Sequence, residues 1–146
     1  MKNRKSADGE LLRELYIRMR SGEDDLCSVT PKITDRRLLT EVTSQLEKYS
    51  EFANRTKDLM RDRAISPKEP SLASRLASRG AIAINTFASP SPSEIAGMIA
   101  RGTYRGARRL VETIGESRGC DGAVSRLYDE VIGYQLGEAE KMKGFM

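Results

Sequence analysis

The chain has 146 residues, a net charge of +4, and neither histidine nor tryptophan. Its length suits one domain that can bury its own core without a metal or a disulfide. The lack of histidine excludes Ser-His-Asp and Cys-His catalysis within this chain. It also means that the imidazole side chain, the commonest metal ligand in proteins, is missing. No run approaches the roughly 20 apolar residues of a membrane span, and the basic start lacks the apolar segment of a secretory signal. We therefore expect a cytoplasmic protein with no membrane partner.

The charged residues are unevenly distributed along the sequence. Residues 55–109 contain eleven basic and four acidic residues, so the middle of the chain is its basic part. The two cysteines, Cys27 and Cys120, are too far apart in sequence for a metal-ligand motif. In a reducing cytosol such cysteines are usually thiols, and a disulfide or a redox role is the alternative.

The first helix is predicted to begin near Asp8, a residue type suited to a helix N-cap, and to end before Pro31. Residues 1–7 are expected to be disordered. Apolar or small residues recur along the helix at alternating steps of three and four, the pattern of a packed helix in a bundle. These residues are Leu12, Leu15, Met19, Gly22, Leu26 and Val29.

The second helix is predicted to begin at Thr34 or Asp35. It repeats the alternation of three and four, and a second row at intervals of seven widens the stripe, as in a bundle helix with several neighbours. The short link makes the first two helices antiparallel neighbours. The first row is Leu39, Val42, Leu46, Tyr49, Ala53, Thr56 and Met60, and the second is Leu38, Gln45, Phe52 and Leu59.

A loop with two prolines is predicted at residues 64–71, before a helical segment at residues 72–88. That segment either joins the bundle or crosses over it, and both arrangements stay open. The third long helix has the clearest start in the chain, because Ser91 suits the N-cap, Pro92 the first helical position and Glu94 a capping box. Its inward residues are predicted to be Ile95, Met98, Ile99, Gly102, Gly106, Leu110, Thr113 and Ile114.

The last helix is predicted to be capped by Asp121. One pair of glycines four residues apart lies in the third long helix, and a second such pair lies in the last helix. Each glycine in a helix interior costs about 1 kcal/mol relative to alanine, so we expect another backbone to approach closely there. That contact lies inside the bundle or between two copies of the chain, and the second alternative implies a homodimer. The pairs are Gly102 with Gly106 and Gly133 with Gly137. The inward residues of the last helix are predicted to be Val124, Leu127, Tyr128, Val131, Ile132, Tyr134, Leu136, Ala139 and Met142.

Four segments of the chain carry a family resemblance, and they read LYIRMRSGEDDL, LLTEVTSQLEKYSEF, GAIAINTFASPSPSEIAGMIARGTYRG and YQLGEAEKMKGFM. They resemble an uncharacterised group of small proteins from clostridia-like bacteria, related to the ferritin-like four-helix superfamily. The similarity covers roughly residues 11–146. It implies an all-α bacterial protein, a ferritin-like antiparallel four-helix bundle over residues 8–146 with a crossover segment between helices 2 and 3. The resemblance implies no established activity.

A ferritin-like fold raises the question of a di-iron site. Its usual ligands are one Glu from each of two helices and a Glu-x-x-His from each of the other two. Here Glu47 is followed at the His spacing by Ser50, and Glu138 by Lys141. The acidic run at residues 23–25 lacks the EF-hand glycine and terminal Glu, so we interpret it as solvated. We find no set of four inward carboxylates and expect no metal and no cofactor.

Arginines form the most basic feature of the third long helix. Arg101, Arg105 and Arg108 share one face, and Arg109 adjoins them. Such a face binds an anionic partner, either nucleic-acid phosphate or an acidic protein surface. The alternative, which we favour, is a solvated face that pairs with acids such as Glu112. Two further arginines that would extend the patch are Arg75 and Arg79.

Polar residues are predicted to approach the core near the middle of the bundle. Gln45, Gln135 and Glu138 are the candidates. One interpretation is a small-molecule pocket lined by polar groups, and the other, which we favour, is a buried hydrogen-bond network. The tyrosines expected nearby are Tyr49, Tyr128 and Tyr134.

Three functional hypotheses follow from these patterns. The leading hypothesis is a non-enzymatic helical-bundle protein that acts through protein–protein or self-association contacts, as a dimer. The second is binding of nucleic acid or an acidic partner through the arginine face. The third is a degenerate ferritin-like metal-binding protein, which would require carboxylate ligands alone.

Overall fold

The structure, a computed structural model, describes residues 4–67, 89–117 and 119–146, with side chains from residue 7 onward. All regular elements in these ranges are helical, which confirms the all-α prediction. The helical segment predicted at residues 72–88 lies outside the described residues, as do residues 1–3 of the segment expected to be disordered. The helices are α1 (Arg4–Val29), a 3-10 turn (Thr30–Lys32), α2 (Arg36–Asp62), α3 (Pro92–Glu116) and α4 (Gly122–Lys143).

Three predicted helix starts are confirmed by side-chain caps. Asp35 accepts a hydrogen bond from the Leu38 N–H at 2.8 Å. Ser91 accepts one from the Glu94 N–H at 3.1 Å, with proline at the first helical position. Asp121 accepts one from the backbone of α4. Each cap satisfies an N–H group that the first turn of a helix leaves without an intrahelical partner.

The predicted start of α1 near Asp8 is wrong, because the helix begins four residues earlier at Arg4. Asp8 is 5% exposed and sits inside the helix. Its carboxylate accepts the Asp121 N–H at 3.0 Å and lies 3.8 Å from the Arg63 guanidinium. The side chain therefore serves a contact between helices instead of capping its own helix.

The core combines the inner faces of all four helices. The predicted seam of α1 is confirmed, since Leu12, Leu15 and Met19 are fully buried. In α2 the predicted wide stripe is confirmed, because every buried residue belongs to one of its two rows, and Leu39, Leu46 and Leu59 are only partly buried. The fully or nearly fully buried residues of α2 are Leu38, Val42, Gln45, Tyr49, Phe52, Ala53, Thr56 and Met60.

The predicted inward faces of α3 and α4 need corrections. In α3, Thr103 and Ala107 are buried, whereas Gly102 is exposed and Gly106 is half-buried. In α4, Leu136 is 40% exposed. The pattern was misread because alanine and threonine contribute little apolar signal although their small side chains fit between close helices. The buried residues of α3 are Ile95, Ala96, Gly97, Ile99, Ala100, Thr103, Ala107 and Leu110.

The helices pack in two pairs, α1 with α2 and α3 with α4, and further contacts join α1 to α3 and to α4, and α2 to α4. Polar contacts also join α4 to the first pair. The Tyr128 hydroxyl donates to the Leu11 carbonyl at 2.5 Å, and Arg55 forms two hydrogen bonds with Glu130, at 2.7 and 3.0 Å. This packing is consistent with a helical bundle. None of the described helices is long and apolar enough to cross a membrane.

Candidate functional site

A cavity of about 370 Å³ opens between α1 and α3, and we call it the α1/α3 cleft. Its walls include the apolar residues Leu26, Val29, Met98 and Ile99. Its floor is formed by four polar side chains from α2, α3 and α4, which we call the polar floor. The members of the polar floor are Gln45, Tyr49, Thr103 and Gln135.

Hydrogen bonds join the polar floor into one group. The Gln45 Nε2 donates to the Tyr49 hydroxyl at 3.1 Å and to the Thr103 hydroxyl at 3.0 Å. The Gln135 Nε2 donates to the same Tyr49 hydroxyl at 3.4 Å. The predicted buried hydrogen-bond network therefore exists for Gln45, Tyr49 and Gln135, and it also lines the cavity that the alternative prediction required.

The amide oxygens of the polar floor have no hydrogen-bond partner among the described residues. Gln45 is 0% and Gln135 5% exposed, yet the Oε1 atom of each accepts no hydrogen bond from the described residues. Oxygen and nitrogen of an amide are exchanged by a flip of the side chain, and a flip would leave the nitrogen unsatisfied instead. Leaving a buried polar atom unsatisfied costs about 1–3 kcal/mol. The two glutamines at the base of the cleft thus each keep one amide position that no described residue satisfies.

Burial raises the pKa of the Tyr49 hydroxyl, more strongly than its hydrogen bonds to Gln135 and Gln45 lower it. Tyr49 is therefore a neutral phenol at neutral pH. It accepts the two amide N–H groups and holds both glutamine side chains in place, so its role in the floor is to position rather than to carry charge.

Two glycines allow the polar floor to assemble. A β-carbon added at Gly22 of α1 would lie 2.8 Å from two carbons of the Tyr49 ring. One added at Gly106 of α3 would lie 3.2 Å from the Gln135 Nε2. Both distances are shorter than ordinary van der Waals contact. Because glycine has no β-carbon, Tyr49 and Gln135 reach positions that any other residue there would obstruct.

The predicted close contact at the glycine pairs is therefore only partly found. Among the described residues, no atom beyond the helix's own lies within 4 Å of a β-carbon built at Gly102, Gly133 or Gly137. Gly106 is approached by a side chain, not by a backbone. The prediction that these glycines allow tight helix packing within the described residues is wrong for all three, because the space beside each of them is open. The interpretation as a contact between two copies stays a prediction.

The structure divides the predicted arginine patch. All four arginines of α3 are exposed, but only Arg105 and Arg109 line the α1/α3 cleft. Arg108 lies 4.0 Å from Glu112, the acid that the solvated-face interpretation named. Arg101 extends toward Gly97, where its Nη1 would lie 3.3 Å from an added β-carbon. Arg75 and Arg79 lie outside the described residues.

The opposite wall of the cleft adds charges that the sequence did not reveal. Arg18 of α1 lines it and bonds Glu14 at 2.9 Å. Asp25 and Ser21 line it as well. The expected solvated run at residues 23–25 is thus wrong in part, because Asp24 is 6% exposed and Asp25 lies in a cleft wall.

Glu138 belongs to a separate cluster beside the polar floor. It is 2% exposed, and its Oε1 lies 3.5 Å from the Lys141 ammonium, which also lies 3.7 Å from Glu41. Burial and the neighbouring Glu41 carboxylate raise the pKa of Glu138 to about 7. Tyr134 lies on the same side, and its ring contacts Tyr49 edge to face. Tyr128, predicted nearby, instead bonds α1.

Potential metal ligands are not grouped in the described ranges: no three Cys, Asp or Glu side chains come together there as a metal site requires. Both cysteines are thiols, with Cys27 exposed and Cys120 half-buried. The carboxylates of Glu41 and Glu138 share one lysine, Lys141, which balances one of their two charges. The α1/α3 cleft, which combines a cavity with buried polar groups and exposed arginines, is the candidate site.

Thr103, Gly22 and Arg18 are the residues of the cleft that sequence reasoning did not assign to a site. Thr103 follows Ile99 by four residues and precedes Ala107 by four, and that spacing is the signal that places it on the inner face of α3. Arg18 and Gly22, also four apart, share the face of α1 that borders the cleft.

Comparisons with protein-family models, with curated proteins and with solved structures found no match for this chain. The resemblance to ferritin-like proteins thus stays a prediction based on the sequence segments given above, and the interpretation of the site depends on its geometry.

Proposed function

We propose that this chain is a non-enzymatic helical-bundle protein that binds a small organic molecule in the α1/α3 cleft. The observation that carries the proposal is the pair of buried, unpartnered amide oxygens of Gln45 and Gln135. A bound molecule that donates hydrogen bonds to both would remove two desolvation penalties at once. The free energy that the unsatisfied oxygens cost the protein then contributes to affinity.

The dimensions and lining of the cleft support the proposal. Small-molecule sites enclose about 300–1,000 Å³ and combine apolar walls with a few convergent polar groups. The cleft has about 370 Å³, apolar side chains on both walls and the polar floor at its base. Residues of all four helices line it, so the bundle holds the polar groups in fixed relative positions.

The wider fold proposal is a ferritin-like antiparallel bundle with a crossover before α3. The contact between Asp8, near the start of α1, and Arg63, just after α2, supports antiparallel packing of that pair. The absence of a grouped metal site in the described ranges directs the proposal toward an organic ligand. An iron titration that gave saturable binding would favour the degenerate metal-binding alternative instead.

Native mass spectrometry of the untagged protein, isolated without denaturation, tests the proposal directly. We expect extra mass from a retained organic molecule in part of the population. Gln135→Leu removes one of the two unsatisfied amide oxygens at similar volume, together with the bond from Nε2 to Tyr49, so it should abolish the retained mass while the variant still unfolds in a cooperative thermal transition. Leu136→Gln, on the exposed side of the same helix, is the matched control and should retain the molecule. Retention by Gln135→Leu would contradict the proposal.

A second candidate function is binding of nucleic acid along α3. Tyr104 is 50% exposed and lies among the exposed arginines Arg101, Arg105 and Arg108, which combines a stacking ring with phosphate-binding cations. Gel-shift titration at increasing salt tests it, because phosphate contacts lose affinity steeply as salt rises. No shift at low salt, or a shift unchanged when the three arginines become alanine, would remove this candidate.

Self-association is a third proposal, supported by the open face of α4 where Gly133, Leu136 and Gly137 are exposed. It is compatible with a ligand in the cleft, since these residues do not line it. Sedimentation equilibrium reports the number of subunits.

A further inference from the structure

We infer that the molecule bound in the α1/α3 cleft is a small hydroxylated phosphate ester, such as a sugar phosphate or a nucleoside monophosphate. The inference depends on the proposed function and names its ligand class. It is carried by two features of the cleft that make different chemical demands: the charge of its rim and the unsatisfied acceptors of its floor.

The rim of the cleft carries a positive charge that matches a phosphate group. Among the described residues, Arg18, Arg105 and Arg109 line it, and Asp25 is the one acid. The formal charge of these described lining residues is therefore +2, while a phosphate monoester carries about −1.5 to −2 at pH 7. A single carboxylate would neutralise only half of this charge.

Arg105 and Arg109 are the cations best placed to take the phosphate. They lie one helical turn apart on the cleft side of α3, and neither has an ion-pair partner among the described residues. Arg18 faces them from α1 but already bonds Glu14. A guanidinium presents parallel N–H groups that fit two phosphate oxygens, so two such groups one turn apart hold one phosphate from two sides.

The polar floor demands hydrogen-bonding groups from the ligand. The Oε1 atoms of Gln45 and Gln135 have no donor among the described residues, and the Gln45 Nε2 is already used by Tyr49 and Thr103. Sugar hydroxyls would donate to these oxygens and would accept from the amide nitrogen if the amide is flipped, so they satisfy the floor in either orientation. A wholly apolar anion would leave both amides unsatisfied, and inorganic phosphate would occupy the rim without the floor. Both demands are met by a molecule that joins a phosphate to hydroxyl groups.

Isothermal titration calorimetry of the full-length protein tests the inference with four probes: glucose 6-phosphate, adenosine 5′-monophosphate, glucose and inorganic phosphate. We expect at least one ester to bind, and both glucose and inorganic phosphate to bind at least tenfold more weakly than that ester. The identity of the tighter ester distinguishes a sugar site from a nucleotide site. The double variant Arg105→Ala/Arg109→Ala should weaken ester binding by about 10- to 100-fold, since each charge-assisted contact is lost.

The double variant Arg101→Ala/Arg108→Ala is the matched control, because it removes the same charge from the same helix outside the cleft. We expect it to change the affinity for the ester less than threefold. Equal weakening by both double variants would overturn the inference in favour of binding along the α3 surface. Binding of neither ester at millimolar concentration would overturn it as well.

Failure of the inference and failure of the proposed function give different results. If the organic molecule retained in native mass spectrometry is uncharged, or is retained equally by Arg105→Ala/Arg109→Ala, the phosphate-ester inference is wrong and the cleft remains a ligand site. If Gln135→Leu does not affect retention of any molecule, the cleft is not the site and both proposals fail.

Discussion

Gly22 of α1 and Tyr49 of α2 are packed so closely that a β-carbon on residue 22 would lie 2.8 Å from Cδ2 and Cε2 of the tyrosine ring. The ring has little freedom to move away, because its hydroxyl accepts hydrogen bonds from both Gln45 and Gln135 and its side chain is buried. The contact therefore links the backbone of α1 to the geometry of the polar floor.

Gly22→Ala should disturb both stability and binding. Alanine favours the helix by about 1 kcal/mol, but overpacking costs about 1–3 kcal/mol, so we expect the free energy of unfolding to fall by about 1 kcal/mol. Displacement of Tyr49 should also weaken ligand retention in the cleft. Urea denaturation and native mass spectrometry measure the two effects. An unchanged or increased stability would mean that Tyr49 moves aside freely.

Gly133→Ala and Gly137→Ala should have the opposite effect on stability. Nothing among the described residues outside the helix itself lies within 4 Å of a β-carbon at either position, so each change should add about 0.5–1 kcal/mol by restricting the unfolded chain and favouring the helix. Urea denaturation at low protein concentration measures the gain. If sedimentation equilibrium shows a dimer that these changes weaken, the glycine face is the contact between copies. A loss of stability in a monomer would contradict the open face.

Arg63→Ala should destabilise the protein far more than Arg61→Ala. Arg63 is 17% exposed at its side chain, bonds Asp121 at 2.5 Å and faces buried Asp8. Its removal leaves the Asp8 carboxylate without its cation, so we expect a loss of about 1–3 kcal/mol in the free energy of unfolding. Arg61 is 74% exposed and pairs with Asp58 on its own helix, so its removal should change stability by no more than about 0.5 kcal/mol. Equal losses from both changes would refute a special role for Arg63.

Stability should fall as pH rises from 5 to 8. The folded protein holds the Glu138 proton more tightly than the unfolded chain, because the pKa is raised from 4.5 to about 7 by burial and by Glu41. This stabilisation is complete below pH 4.5 and is lost as pH rises through 7. We expect a loss of about 1–2 kcal/mol, less than the full shift implies, because Glu138 and Glu41 titrate as an interacting pair that shares the shift.

Glu138→Gln is the variant that isolates this effect, since the chain has no histidine to titrate in the same range. Its stability should be nearly independent of pH between 5 and 8. Glu140→Gln, at a site whose side chain is 72% exposed, should keep the dependence of the unmodified protein. A persistent pH dependence in Glu138→Gln, measured by urea denaturation, would show that another group is responsible.

The helices and their starts were predictable because their signals are local. Asp35, Ser91 and Asp121 are each followed by a helical pattern, and a cap needs only neighbouring backbone N–H groups. Asp8 has the same local signal, but its carboxylate is used by Asp121 and Arg63. That competition is decided by residues more than 50 positions away and cannot be recognised from the local sequence.

The candidate site was predictable only in part. Gln45 and Gln135 were placed near the core by their positions beside apolar rows, and Tyr49 was placed with them. Two features of the site depend on how α1 and α3 are rotated and spaced. One is the unsatisfied amide oxygens, and the other is that Arg105 and Arg109 line the cleft while Arg101 and Arg108 do not. An error of one residue in the inner face of a helix, as at Gly102 and Gly106 of α3, rotates side chains by about 100° and is enough to hide such a cleft.

The polar floor also fixes the axial register of the bundle. An apolar stripe with a seven-residue repeat tolerates a shift of one helix along another, because equivalent side chains meet again after each repeat. The bonds from Gln45 to Thr103 and from Gln135 to Tyr49 form in one alignment alone, and any shifted alignment would bury those groups unsatisfied. The same four side chains therefore select one assembled state among several of similar apolar packing.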